Sequence, residues 1–136
     1  MNALALLQLQ QGLYGKLAAD GVLMGMLNGL YDQVPERAQL PYAVIGDGQM
    51  QPVATDTATG ARCVMRIRVY SQKPGRKEVL RILDRIYGQL HHGTVALVES
   101  DVITMQVRSA ETRLLSDART IEAVLEVECL ISEVAL

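Results

Sequence analysis

Two runs of alternating side chains, Arg62 to Tyr70 and Ile121 to Ile131, constrain this chain more than any other feature. In the first, Cys63, Met65, Ile67 and Val69 alternate with Arg62, Val64, Arg66 and Arg68. A period of two puts the apolar set on one side of a strand and the arginines on the other. In the second, Ile121, Ala123, Leu125, Val127, Cys129 and Ile131 share a face opposite Glu122, Glu126 and Glu128. Both runs therefore read as half-buried strands. If they pair, arginines meet glutamates, and each exposed pair contributes only about 0.2–1 kcal/mol. That is enough to favour one register or partner and too little to hold a fold. Arg62, Arg66, Arg68, Glu122, Glu126 and Glu128 thus form a candidate charged interface, satisfied either within one subunit or between two.

The rest of the chain supplies helices to cover such a sheet. From Ala3 to Ala19, Leu6, Leu9, Leu13 and Leu17 form a stripe at helical spacing, with Gln8, Gln11 and Lys16 away from it. Asp20 is placed to cap a short second helix that Asn28-Gly29 ends. After Lys73-Pro74-Gly75, a third helix sets Val79, Ile82, Leu83, Ile86 and Leu90 on one face against Lys77, Arg81, Asp84 and Arg85. Tyr42 to Ile45 reads as a buried strand, and Val95 to Val98 and Val102 to Arg108 as two short strands joined at Glu99-Ser100-Asp101. The order predicts an α+β domain with a mainly antiparallel or mixed sheet and two main amphipathic helices packed on one face. The third helix fits either above antiparallel strands or as a crossover between parallel ones; the antiparallel arrangement is preferred. Residues 1–136 read as a single domain.

The stretch from Gly46 to Gly60 has three glycines, Pro52 and three threonines, with little besides Met50 and Val53 to bury. It is expected to be a flexible loop or hairpin. Asp47, Gln49, Met50, Gln51, Val53, Thr55, Asp56, Thr57 and Thr59 are its candidate contact residues, in an arm expected to order against a neighbour.

Chemistry is harder to find. Adjacent residues on a helix point about 100° apart, so His91-His92 cannot chelate one metal, and no Cys or His cluster has zinc spacing. Gly46-Asp47-Gly48 lacks the third glycine of a dinucleotide fingerprint, and no phosphate loop is present. Ser71, Ser100, Ser109, Ser116 and Ser132 have no nucleophile-elbow residues around them. No catalytic residue, cofactor or metal site is therefore assigned. Cys63 and Cys129 both fall on apolar strand faces, where a thiol packs as a small hydrophobe. The formal net charge is −2, and Phe and Trp are absent, so neither phosphate neutralisation nor extensive base stacking is favoured. No run approaches the roughly 20 apolar residues of a membrane span, and the first residues do not read as a signal peptide.

Several segments carry a family resemblance. Leu30-Tyr31-Asp32-Gln33-Val34-Pro35, then Leu40-Pro41-Tyr42-Ala43-Val44-Ile45-Gly46, resemble the start of small tail-completion proteins of long-tailed bacteriophages and gene transfer agents. Arg68-Val69-Tyr70-Ser71, Pro74-Gly75-Arg76-Lys77-Glu78 and Asp117-Ala118-Arg119-Thr120 follow in the same order at similar spacing. Tyr70 stands where many relatives have Trp. The resemblance covers nearly the whole chain and implies a tail terminator, or tail-to-head joining protein. Such a protein forms a ring, usually of six subunits, that caps the tail tube and docks to the head connector. The implied partners are further copies of itself, the major tail tube protein and the head-tail connector or stopper. The isolated protein would be either a ring or a monomer. Membrane and specific nucleic-acid partners are not implied, although DNA would pass through the ring. The implied location is the virion tail or neck, after synthesis in the bacterial host cytoplasm. Two rivals stand beside it: a small α+β enzyme or ligand-binding subunit using Tyr42, Tyr70 or His92 in a pocket, and another neck protein, either a head-side stopper or a tail-tube subunit.

Overall fold

The computed structural model describes residues 4–54, 59–98 and 100–133. The elements run α1 (Leu4–Ala18), α2 (Gly21–Met26), β1 (Leu30–Tyr31), β2 (Tyr42–Ala54), β3 (Thr59–Ser71), α3 (Lys77–Leu90), β4 (Ser100–Leu114) and β5 (Ile121–Glu133). The strands form one mixed sheet in the order β1-β2-β3-β5-β4, with β1 parallel to β2 and every other neighbouring pair antiparallel. The fold is α+β.

The two alternating runs are the centre of this sheet. Arg66 lies opposite Glu126, Ile67 opposite Leu125 and Cys63 opposite Cys129. Met65, Ile67, Val69, Leu125, Val127 and Ile131 bury their side chains on one face. All three helices supply buried residues to that same core. From α1 come Leu9, Leu13 and Leu17, and from α3 come Val79, Ile82, Leu83, Ile86 and Leu90. Each fully buried aliphatic side chain contributes about 1.5–3 kcal/mol, so the helical stripes and the strand faces form one apolar layer. The two cysteines are free and buried within it. Burial raises both thiols, that of Cys129 to about 12, which leaves them uncharged packing groups.

Local chemistry fixes where the helices begin. The Asp20 carboxylate accepts from the Val22 N–H at 3.1 Å and caps α2. It also accepts from Arg85 Nε and Nη2 at 2.7 and 2.9 Å, which ties the start of α2 to α3. Gly75 takes φ +85°, a left-handed conformation that side chains resist, and turns the chain from β3 into α3. Ser71 is fully buried, and its hydroxyl donates to Glu78 in the first turn of α3 at 2.7 Å.

Three expectations need correction. Val95 to Val98 is not a strand; it runs beside α1, where a Cβ on Gly12 would stand 3.1 Å from the Ala96 carbonyl oxygen and Lys16 donates to the Thr94 carbonyl. The following strand does not stop at Arg108 but continues to Leu114. Register shifts between Val102 and Thr104 and between Val107 and Ser109 break its alternation and hide its length. Finally, α3 does connect two parallel strands, since β3 and β4 are both antiparallel to β5. They are not neighbours, because β5 inserts between them and makes every contact in that part of the sheet antiparallel.

Of Gly46 to Gly60, Gly46–Ala54 belongs to β2 and Thr59 and Gly60 to β3, and the two strands pair antiparallel. A Cβ on Gly60 would lie 2.5 Å from the Ile131 carbonyl oxygen, so the missing side chain lets β3 approach β5 here. Residues 55–58, and with them Thr55, Asp56 and Thr57, lie outside the described residues.

Leu13→Ala should lower the unfolding free energy by about 2–5 kcal/mol in urea titration. Leu7→Ala, on the half-exposed side of α1, should cost less than half as much. Equal losses would contradict the assignment of the buried stripe.

Candidate functional site

The helices cover one face of the sheet and leave the other open. On the open face, cross-strand neighbours form rows: Gln51, Arg62 and Leu130; Gln49, Val64, Glu128 and Gln106; Gly46, Arg66, Glu126 and Ser109; Tyr42, Tyr70, Glu122 and Arg113. Arg62 Nε reaches Glu128 at 2.8 Å, Arg66 Nε reaches Glu126 at 3.3 Å, and Arg68 Nε reaches Glu122 at 3.9 Å. All six charges proposed from sequence therefore converge on one surface, paired within the chain. Arg108 and Arg113 join them. Arg108, the extra residue of a β4 bulge, contacts Glu126 at 3.5 Å and Glu128 at 3.3 Å; Arg113 Nε donates to Glu122 at 2.8 Å. Sequence reading missed both. Ser109, Glu111 and Arg113 do alternate polar side chains along one face, but no apolar alternation carries a strand past Arg108 in the sequence.

Glu122 anchors the most buried part of this network. Burial alone would raise its pKa, but the Tyr70 hydroxyl donates to it at 2.7 Å and Arg113 and Arg68 lie beside it. Together these hold the carboxyl below its ordinary range. Tyr70 responds in the opposite direction, since burial and the adjacent Glu122 raise its phenol to about 12. Tyr70 also packs on Tyr42 at 5.4 Å between ring centroids, and Tyr42 meets Tyr31 edge-on at 5.8 Å. The turn leading into β5 has its own anchor. Asp117 accepts from the Arg119 and Thr120 amides at 2.9 and 2.8 Å and from the Thr120 hydroxyl, which lowers its pKa to about 2.

The candidate hairpin residues divide between the two faces. Gln49 and Gln51 stand on the open face opposite Val64 and Arg62, and Val53 lies opposite Gly60. Met50 is partly buried on the helical side opposite Cys63, and Thr59 opens β3 opposite Ala54. Asp47, at φ 58°, is the extra residue of a bulge and contacts Arg68 Nη1 at 2.6 Å. It thereby links the hairpin to the charged surface.

Tyr42 and Tyr70 do not share a site with His92. The tyrosines lie on the open face, whereas the His92 amide donates to the Met105 carbonyl at 2.9 Å beyond the end of α3. His91 stacks on Tyr87 at 4.7 Å, and its Nδ1 accepts from the Val107 N–H at 3.1 Å. Among the described residues, no group of three His, Cys, Asp or Glu side chains suits a metal. A surface groove of about 250 Å³ beside α1 is lined by Leu7, Gln10, Gln11, Tyr14, Asp32 and Ile45, and its one carboxylate accepts from the Gln10 amide.

Residues 11–132 match the family model described as tail completion protein gp17. The chain belongs to this family. Its role is structural, in completing the tail of a phage-type particle. Among solved structures, a chain of the virion of a native gene transfer agent particle is similar at 21% identity and a TM-score of 0.88, over 97% of this chain and 99% of that one. The gp17 protein of bacteriophage SPP1 is similar at 22% identity and a TM-score of 0.63, over 97% of this chain and 92% of its own. Both likenesses lie in the fold. Among curated proteins, none matches by sequence.

The stability that Glu122 contributes through its lowered pKa is present above about pH 4.5 and is lost as pH falls through the folded-state value. Between pH 7 and pH 3, the urea midpoint of the wild-type protein should therefore fall further than that of Glu122→Gln. For Tyr70, raised above 10, the contribution is present below pH 10 and disappears as pH rises toward 12. Tyr70→Phe should abolish the phenolate absorbance that develops last, near pH 12. Identical acid slopes, or an unchanged last phenolate, would refute this account of the cluster.

Proposed function

We propose that this tail-completion protein acts as a tail terminator: a ring, of six subunits, that caps the tail tube and presents a docking surface to the head connector at the virion neck. Membership of the tail-completion family over residues 11–132 carries the reading. Two features of the chain support it. The open face is occupied by ion pairs that neutralise one another. The net charge of −2 gives a ring no strong hold on passing DNA. The work is done through contact surfaces and not by catalysis. Its partners are copies of the chain, the major tail tube protein and the connector or stopper. The hairpin strand from Asp47 to Val53, together with Thr59, is the part assigned to contact with a neighbouring subunit or the tube. Arg62, Arg66, Arg68, Glu122, Glu126 and Glu128 stabilise the subunit and its open surface.

Mass measurement in solution, with and without purified tail tubes, tests this function. A ring in either condition, together with particles that have unjoined tails when the gene is removed, is the expected result. A persistent monomer that ignores tubes, or normal tail length and head joining without the protein, would overturn it.

A further inference from the structure

Each side of the sheet ends in a strand whose outer backbone groups are only partly used. On the β4 side, the Met105 carbonyl accepts from the His92 N–H and the Val107 N–H donates to His91 Nδ1. These two contacts show that Met105 and Val107 direct their backbone groups away from β5. The bulge residue Arg108 then shifts the alternation by one, so beyond it Ala110, Thr112 and Leu114 face outward. The hairpin closure agrees, because the Leu115 N–H donates inward to the Thr120 carbonyl at 2.8 Å. The outward N–H and C=O groups of Ala110, Thr112 and Leu114 have no backbone partner among the described residues. Ser109, Ala110, Glu111, Arg113 and Leu114 are exposed. An edge of this kind is normally blunted by proline, charged side chains or a bulge; Ser109 to Leu114 has no proline, lysine or bulge, and its two charges, Glu111 and Arg113, belong to residues whose backbone pairs inward with β5.

The opposite side is complementary. β1 pairs only with Ala43 and Val44 of β2, and the Gln10 amide donates to the Ile45 carbonyl at 3.1 Å. Since Ala43 and Ile45 face outward, the bulge at Asp47 makes Gly48, Met50 and Pro52 the outward residues that follow. Pro52 sits where its missing N–H costs no bond to β3 and sets the far limit of any pairing. In the sheet, β2 and β5 run one way and β3 and β4 the other. A β2 edge laid beside β4 of another copy, with the helices on the same side, is therefore antiparallel, like most of the sheet.

We infer that the free edge of β4, Ser109–Leu114, pairs with the outer edge of β2, Gly48–Gln51, of a second copy, so that the sheet continues from subunit to subunit. This deepens the ring reading and rests on it. One molecule carries both halves of the contact, on different strands, and such a heterologous contact gives a ring when the rotation between neighbours closes. The two edges are not level. The β4 stretch lies across β5 from Arg66–Ser71 of β3, and the β2 stretch beside Met65–Arg62. Pairing offsets neighbours along the strands by about five residues, roughly 17 Å, which a closed sheet absorbs by tilting its strands.

Hydrogen exchange read by mass spectrometry on the wild-type monomer and ring tests the pairing directly. Peptides covering 108–115 and 46–52 should both gain slowly exchanging amides on assembly, up to three in the first. Ala110→Pro removes one outward N–H and no bond to β5, so it should remain a folded monomer and lose the ring, whereas Ala110→Ser should assemble normally. A ring in which either segment exchanges as fast as in the monomer, or one formed by a folded Ala110→Pro protein, would overturn the pairing and leave the ring reading intact. Wild-type protein that forms no ring with or without tubes would bring down both. Should Ala110→Pro fail to fold, the exchange comparison on the wild-type protein decides the matter alone.

Discussion

The pairing of β3 with β5 is the contact on which the rest of the structure depends. Along twelve opposed positions, from Gly60 with Ser132 to Ser71 with Ile121, the two strands gather their apolar side chains mainly on one face and set all their arginines and glutamates on the other. The apolar face receives α1 and α3. The other face carries the arginine–glutamate pairs and no helix, and so it remains open. Two-sidedness at the centre thus decides both where the core lies and which surface is left for contacts.

That open surface is held together by arrangement more than by energy. Exposed ion pairs of this kind contribute roughly 0.2–1 kcal/mol each, and the side chains of Arg62 and Arg66 are half or nearly half exposed. Glu126 and Glu128 each meet two arginines, one from β3 and one from β4, so the glutamate strand links its neighbours on both sides. Glu122 differs in being buried, and it draws on Tyr70, Arg68 and Arg113 together. The surface is satisfied from within its own subunit.

Much of this was legible in the sequence, and what was not has identifiable causes. Leu9, Leu13 and Leu17, the α3 stripe from Val79 to Leu90 and the buried cysteine pair all follow a helical or two-residue period, and the structure buries them accordingly. The length of β4 is hidden in the sequence because Ile103 and Arg108 are bulge residues that break the alternation, while Ser109 to Leu114 is too polar and exposed to announce a strand. Val95 to Val98 has the composition of a strand, yet it packs along α1 near Gly12, a tertiary position that no local pattern encodes. At two residues, β1 is too short to show a period at all. The site was half legible: the six charges were identifiable as two facing sets, but the partners from β4 and the Tyr70 hydroxyl require knowledge of which strands are neighbours. Strand order is set by the α3 crossover and is not written in any one segment.

The crossover has a kinetic consequence. Because β5 comes after β4 in the chain and lies between β3 and β4 in the sheet, the β2–β3 hairpin and β4 have no direct partner in each other. As the polypeptide leaves the ribosome, everything up to Leu114 emerges with its middle position empty, and the core can seal only once residues 121–133 slot in. Such late, long-range closure is slow compared with local contacts, and it keeps unfinished molecules from presenting a completed sheet to one another before synthesis has passed this point.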